Sequence, residues 1–181
     1  MDSGAGLNRE SEVTIRALPP DQWEAYRGLR LEALWCEPQA FGTSYADARQ
    51  TPEAGWRLRL EAAASAHDSW MLFAEHGGTP VGMVAAFVKE PGVAEIVSVY
   101  VTASERGRGI ARRLMEAILV QIASDARGTT VSLTVNKAQS AALALYRSLG
   151  FEITGVVTGA MGDGMVYDEY TMEKGAISRA G

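Results

Sequence analysis

The sequence predicts a single α/β domain with one central mixed, mostly antiparallel sheet flanked by about four helices. Two observations lead to this fold class. Runs of β-prone residues alternate along the chain with runs whose apolar residues recur at helical spacing. No internal repeat or linker-like stretch divides the 181 residues, a length that suits one domain with a sizeable core.

The first half of the chain is predicted to contain a strand, two helices and a hairpin. Residues 13–17 alternate as a strand does, and helical segments follow at 21–35 and 53–65, separated by loop-like sequence. Residues 70–75 and 81–89 are predicted strands, because the turn residues between them include two adjacent glycines.

The second half is predicted to begin with a strand–helix–strand unit formed by residues 94–101, 109–124 and 130–135. Such a unit makes a right-handed crossover between parallel strands. One apolar stripe marks its helix, formed by Ile110, Leu114, Ile118 and Ile122.

A second helix is predicted just before Gly150, which suits a left-handed helix end. Its expected core stripe is Ala138, Ala142, Leu145 and Leu149. Residues 153–157 and 165–172 are predicted to form a closing antiparallel pair around a Gly-containing turn. The domain is expected to span residues 12–174, with flexible segments at 1–11 and 175–181.

Composition excludes several classes of function. The net charge of -5 argues against nucleic acid as the main partner. No apolar run approaches the roughly 20 residues that a membrane span needs. The single cysteine, Cys36, allows no internal disulfide, fits a reducing cytoplasm and is expected to be buried. No metal-ligand spacing is found in the sequence.

The most informative stretch is residues 99–113, where a β-prone run leads through a loop into a helix N-terminus. Backbone N–H groups at such an end attract an anion. Gly107 and Gly109 allow close approach of the backbone, and Arg106, Arg108 and Arg112 add positive charge. The stretch therefore predicts an anion-binding loop, although a tight turn with solvated arginines is the alternative.

Two other phosphate-binding loops are excluded because the residues that each of them requires are missing. A P-loop needs Lys followed by Ser or Thr after its last glycine, and neither is present. A dinucleotide-binding loop needs a third glycine where Arg112 stands, and an acidic residue at the end of the next strand, which instead ends in Val135 and Asn136.

Two motifs resemble one family. Residues 106–111 match its pattern Q/R-x-x-G-x-G/A, and residues 144–151, A-L-Y-R-S-L-G-F, look like its element L-Y-x-x-x-G-F. The motifs occur in the family's order and at its distance, about one helix and one strand apart. Over residues 94–151 the chain thus resembles the GCN5-related N-acetyltransferase (GNAT) superfamily.

The resemblance implies a GNAT-like fold and acetyl-coenzyme A as cosubstrate, with no metal. It places the coenzyme A pyrophosphate on the Gly- and Arg-containing loop. It also places the backbone of the preceding strand against the acetyl group and the pantetheine. The implied cofactor-binding residues are Val99, Tyr100, Val101, Arg106, Gly107, Arg108, Gly109, Ile110, Ala111, Arg112, Gln139 and Tyr146.

Tyr146 is implied to be the acid that protonates the leaving thiolate. Gln139 precedes it by seven residues, so both are expected on one helical face about 10 Å apart, away from the core stripe. The family usually has Asn in place of Gln139, and Asn136 could substitute or be a turn residue. The alternative for Tyr146 is a half-buried aromatic residue without a chemical role.

Glu95 is the candidate general base, because only the free-base form of an amine attacks a thioester. Strand alternation predicts that Glu95 shares a face with Val97, Val99 and Val101. Its position also resembles that of the basic glutamate in the histone acetyltransferase branch. A structural carboxylate is the equal alternative, and a bulge would change the facing.

The resemblance places the acceptor site between the first helices, their connection and the last hairpin. Phe41, Tyr45 and Asp168 are the candidate substrate-binding residues there, for an amine of a small molecule or a peptide. The alternative function is a non-catalytic acetyl-coenzyme A sensor or partner-binding domain. Dimers are common in the family, and the residues do not decide whether this chain forms a homodimer.

Overall fold

The computed structural model describes residues 12–65, 68–125 and 129–175. The predicted flexible segments 1–11 and 175–181 lie outside these residues, apart from Gly175. One seven-stranded sheet, in the order β1-β2-β3-β4-β5-β7-β6, runs through the domain. Its strands are β1 (Thr14–Arg16), β2 (Ser69–His76), β3 (Thr79–Glu90), β4 (Val93–Val101), β5 (Thr130–Asn136), β6 (Glu152–Ala160) and β7 (Val166–Lys174).

The described residues form four longer α-helices and one single-turn α-helix, besides three short 3-10 helices. These are α1 (Trp23–Cys36), α2 (Tyr45–Ala48), α3 (Glu53–Ser65), α4 (Ile110–Asp125) and α5 (Ser140–Ser148). The stretch between α1 and α3, expected to be a loop, contains α2, whose N-terminus is capped by the Ser44 hydroxyl. The predicted fold class, a mixed sheet flanked by helices, is confirmed.

Two hydrophobic clusters cover opposite faces of the sheet. The α4 face packs against α4 and includes Ala94, Ile96, Leu133 and Val135. The α1–α3 face packs against α1 and α3 and includes Phe73, Met83, Tyr100 and Trp56. The predicted stripe of α4 is confirmed, since Ile110, Leu114, Ile118 and Ile122 are all 0–2% exposed.

The parallel strands β4 and β5 separate partway along their length. They pair from Val93 opposite Thr130 to Ile96 opposite Leu133. Both strands then continue, to Val101 and Asn136, without further pairs in the register. Beyond Ile96, the edge of β4 that faces β5 is therefore free to form hydrogen bonds with amide groups of a ligand.

A bulge at Ser98 accompanies this separation. Ser98 has φ 58°, and the register with β3 shifts between Met83 and Ala85. Ile96 therefore belongs to the α4 face, whereas Tyr100, an even number of residues later, belongs to the α1–α3 face.

The bulge overturns the predicted facing of Glu95. Val99 and Val101 pack with the α4 face, as Ile96 does, so Glu95 and Val97 lie on the opposite side. A common face for all four residues is thus wrong, because the extra residue at Ser98 reverses the alternation.

Cys36, expected to be buried, is exposed as the last residue of α1. None of the helices in the described part of the chain combines the length and the apolar character that crossing a bilayer requires.

Candidate active site

A cleft of about 950 Å³ lies where β4 and β5 separate. Its walls come from β4, β5, the loop before α4, the N-terminal part of α5 and the segment after α1. The predicted cofactor residues that line it are Val99, Tyr100, Val101, Arg106, Gly107, Gly109, Ile110, Ala111, Arg112, Gln139 and Tyr146. Two motifs separated by a helix and a strand thus meet at one cleft.

The loop before α4 has the backbone geometry of an anion site. Gly107 and Gly109 have φ 75° and 76°, a left-handed conformation that side-chain-bearing residues rarely adopt. A Cβ at either position would meet no atom within 4 Å, so both glycines face open space. In loops that contain such left-handed residues, backbone N–H groups point toward one place. The dipole of α4, which begins at Ile110, adds positive potential there.

The arginines of this loop contribute unequally. Arg106 binds the carbonyl of Val101 at 3.0 Å and the Glu37 carboxylate at 2.6 Å, which ties the loop to the end of α1. Arg108 instead pairs with Glu105 and does not line the cleft. His76 and Arg108 together hold the pKa of the Glu105 carboxyl below its ordinary value.

Arg112 is the arginine that connects α4 with α5. Its guanidinium donates to the Ser148 hydroxyl at 2.5 Å and lies 3.5 Å from the Glu116 carboxylate. Arg113, the next residue, turns away to the carbonyl of Val13. The positive charge of the loop at the cleft is therefore that of Arg106 and Arg112, both partly neutralised.

Tyr146 is 6% exposed, and its ring packs edge-on against Phe151 with centroids 6.2 Å apart. It also lines the cleft, and its hydroxyl makes no hydrogen bond to any described residue. Burial raises the pKa of Tyr146 above its ordinary value, so the phenol keeps its proton at neutral pH. A protonated donor beside a cleft suits a general acid.

Two expectations for α5 are wrong. The helix begins at Ser140, so Gln139 is the residue before its first turn and the assumed helical spacing to Tyr146 does not apply. The buried residues are Leu143 and Tyr146; of the predicted stripe, Ala142, Leu145 and Leu149 pack against the α4-face cluster but are only partly buried, and Ala142 and Leu145 also line the cleft.

Asn136 serves as a turn residue. Its side chain donates to the carbonyl of Gln39 at 3.2 Å and accepts from the N–H of Ala138 at 2.9 Å. With both ends of the amide engaged and the residue buried, Asn136 is not available to replace Gln139.

Glu95 lines the cleft with a side chain that is 16% exposed. Its carboxylate lies 3.1 Å from the Lys89 ammonium, which is half exposed. The carboxylate is therefore at the cleft wall, on the α1–α3 side of the sheet, with one cationic partner.

The candidate substrate residues do not come together. Phe41 is buried and lines the cleft, beneath the Arg30 guanidinium at 4.7 Å. Tyr45 packs against Trp35, with ring centroids 5.2 Å apart, and lies outside the cleft lining. Asp168 is exposed and also outside it; Lys137, and then Thr158, hold the pKa of the Asp168 carboxyl below its ordinary value.

Among the cleft residues that sequence reasoning did not single out are Arg30, Glu37 and Ser98. Arg30 and Glu37 belong to no motif, and a positive φ at a serine has no sequence signal. Within residues 12–65, 68–125 and 129–175, no group of three or more His, Cys, Asp or Glu side chains is arranged to hold a metal ion.

Known proteins resemble this chain in sequence and in fold. The family model "Acetyltransferase (GNAT) family" matches residues 25–151. N-alpha-acetyltransferase RimI of Mycobacterium tuberculosis is 37% identical over 132 residues, covering 68% of this chain and 74% of that protein. N-acetyltransferase family 8 member 2 of Rattus norvegicus is 40% identical over 96 residues, half of this chain and 42% of the rat protein.

Among solved structures, PaiA N-acetyltransferase from Thermoplasma acidophilum in complex with coenzyme A matches with a TM-score of 0.71. The match covers 91% of this chain and 99% of that one at 18% identity, so it is a likeness of fold. Since the family model covers most of the domain and the mycobacterial relative aligns over two thirds of the chain, this protein belongs to the GNAT family of acetyltransferases.

Proposed function

We propose that this chain transfers the acetyl group of acetyl-coenzyme A to an amine of a small molecule or a peptide, by direct attack in a ternary complex. The observation that carries the proposal is the cleft itself. The cleft is lined by the glycine-containing loop at the start of α4 and by the protonated Tyr146.

The residues present fit coenzyme A. The open backbone at Gly107 and Gly109 suits a pyrophosphate, which two glycines without Cβ atoms allow to approach closely. The unpaired edge of β4 beyond Ile96 suits the amides of an extended pantetheine arm. Ala142 and Leu145 supply an apolar opposite wall.

The reaction balances with the groups at the cleft. When bound, the thioester supplies the acetyl group; a carbon–nitrogen bond to the amine forms and the carbon–sulfur bond breaks. The proton lost by the amine goes to a base, and Tyr146 donates its hydroxyl proton to the departing sulfur. The products are an amide and a free thiol.

Glu95 is the proposed base, acting directly or through a water. Its carboxylate is at the cleft wall and is held by one ammonium, so it retains lone pairs for a proton. Support for an amine acceptor comes from the relatives, which are named as N-acetyltransferases.

The test is release of free thiol from acetyl-coenzyme A, followed with a thiol reagent across amines, polyamines, aminoglycosides, amino acids and peptides. Acceptor-dependent release is expected, with a stoichiometry of one acetylated amine per thiol. Tight coenzyme A binding without release for any acceptor would contradict catalysis and favour a sensor.

A further inference from the structure

A second cavity of about 610 Å³ lies on the α1–α3 side of the sheet. It is enclosed by α1, by the segment from Thr43 through α3, and by the neighbouring strands β2, β3 and β4. It meets the cleft at four residues that line both: Arg30, Thr43, Val97 and Ser98. The bulge in β4 thus forms the boundary between the two spaces.

Arg30 lines this cavity with a guanidinium that is not fully hydrogen-bonded. Its Nη1 is buried and has no hydrogen-bond partner in the described structure, while its guanidinium stacks on Phe41. Burial lowers the pKa of Arg30 below its ordinary value. An orphaned guanidinium N–H is costly and favours a partner other than the described residues.

The remaining polar groups of the cavity do not supply that partner. Arg59 also lines it, stacked on Trp56, and in the described ranges neither arginine has a carboxylate within 4 Å. Asp47 is the acidic residue of the wall, and its carboxylate accepts from the Ser44 hydroxyl at 2.7 Å.

The cavity also contains a neutral hydrogen-bond donor besides the two arginines. The Ser69 hydroxyl lines the same cavity, is buried, and is likewise without a hydrogen-bond partner among the described residues. Two orphaned donors and an excess of positive charge describe a site for an anion.

We propose that the acceptor is an amine that carries a carboxylate, and that Arg30 binds this carboxylate while the amine reaches the cleft past Ser98. The inference rests on the proposed acetyl transfer and names the substrate class of the same site. A planar carboxylate matches the guanidinium fork in two hydrogen bonds, which fixes both the position and the direction of the amine.

The rest of the cavity wall favours an amino acid-like acceptor with an apolar side chain. Tyr26, Met71, Phe87 and Val97 line it. Because such walls offer little to a polyamine or an aminoglycoside, those amines are expected to be poor acceptors.

The experiment compares acceptors that share a side chain and differ in carboxylate or carboxamide, with kcat/KM expressed per free amine because the two amines differ in pKa. Glycine, L-leucine and L-phenylalanine are each assayed beside their carboxamides by thiol release. The wild-type protein is expected to prefer the carboxylates in kcat/KM by about tenfold or more. Equal or better use of the carboxamides would overturn the inference while leaving acetyl transfer established.

Substitutions of Arg30 test whether this residue causes the preference for carboxylates. Arg30→Gln is expected to remove the carboxylate preference, and Arg30→Lys to keep part of it because the charge stays but the fork is lost. The control is Arg27→Gln, one turn earlier in α1 and outside both cavities, which should keep the full preference. A preference retained in a folded Arg30→Gln variant would refute the role of Arg30.

A second experiment measures ligand binding and does not depend on turnover. With coenzyme A present, N-acetyl-L-leucine and N-acetyl-L-phenylalanine are expected to raise the melting temperature of the wild-type protein more than their carboxamides do. Arg30→Gln should abolish that difference. Absence of any difference in the wild-type protein refutes carboxylate recognition, whereas absence of thiol release with this difference intact refutes only the transfer.

Discussion

Tyr146 belongs to two environments at once. Its ring is part of the core beside Phe151, and the residue also lines the cleft. The hydrophobic neighbours that bury the ring also keep the phenol protonated, since burial disfavours the phenolate. Packing therefore determines both the position of the proposed acid and its protonation state.

Tyr146→Phe is expected to lower kcat by about 100-fold, the scale of a lost general acid, with acetyl-coenzyme A binding nearly unchanged. Because the pKa of Tyr146 is raised, the proton is present throughout the ordinary working range. The ratio of wild-type to variant kcat should therefore stay constant from about pH 6 to about pH 9. Steady-state kinetics and a binding titration measure the two effects.

Tyr167→Phe is the matched control, since that hydroxyl donates to Asp163 in the last hairpin, outside the cleft. It should leave kcat unchanged. Unchanged turnover in Tyr146→Phe would exclude the acid role.

Glu95→Gln is expected to lower the rate most at low pH, where the free amine is scarce and a base matters most. The measurement is a pH–rate profile of kcat/KM for both proteins. Glu90→Gln, an exposed glutamate at the end of β3, is the control and should leave the profile unchanged. If the profile of Glu95→Gln overlays that of the wild type, the carboxylate is structural.

At the scale of elements, the loop between β4 and α4 contains the residues whose structure was easiest to predict from the sequence. Its two glycines are needed for their left-handed conformation, and the first residue of α4 starts the buried stripe. The loop and this helix could be predicted from sequence because their conformation follows from local chemistry. The β4 bulge could not, because Ser98 is held at positive φ by its neighbours.

Gly109→Ala is expected to weaken coenzyme A binding by about tenfold because its methyl group occupies the open approach, and to lower stability by about 1–2 kcal/mol because alanine is strained at φ 76°. Gly164→Ala controls for strain alone, since Gly164 has φ 79° with similarly open space but lies in the last hairpin. Titration calorimetry gives the affinities and thermal melts the stabilities. Equal affinity in both variants would rule out the loop as the anion site.

At the scale of the whole molecule, the separated sheet is the decisive feature. Pairing of β4 and β5 ends at Ile96 and Leu133, and the space beyond is the cleft. A bound ligand that pairs with the free edge would complete the hydrogen bonding of the sheet there.

Coenzyme A is therefore expected to slow amide hydrogen exchange in residues 97–101 of β4, where an edge lacks a strand partner. The closing strands β6 and β7 should change little, because their pairing is complete without it. Hydrogen-exchange mass spectrometry with and without coenzyme A measures both regions. Saturating binding without protection of residues 97–101 would contradict the proposed path of the pantetheine.

The sequence by itself determined the mixed fold, the order of its strands and longer helices, and the GNAT family, because these depend on local periodicity and short motifs. Only the tertiary structure decided which way Glu95 faces, which side of α5 is buried and how Arg30 comes to border two cavities. Those features arise where segments distant in the chain meet. Their physical causes, such as the bulge at Ser98 and the burial of the Arg30 Nη1 atom, exist only once the sheet and helices have packed.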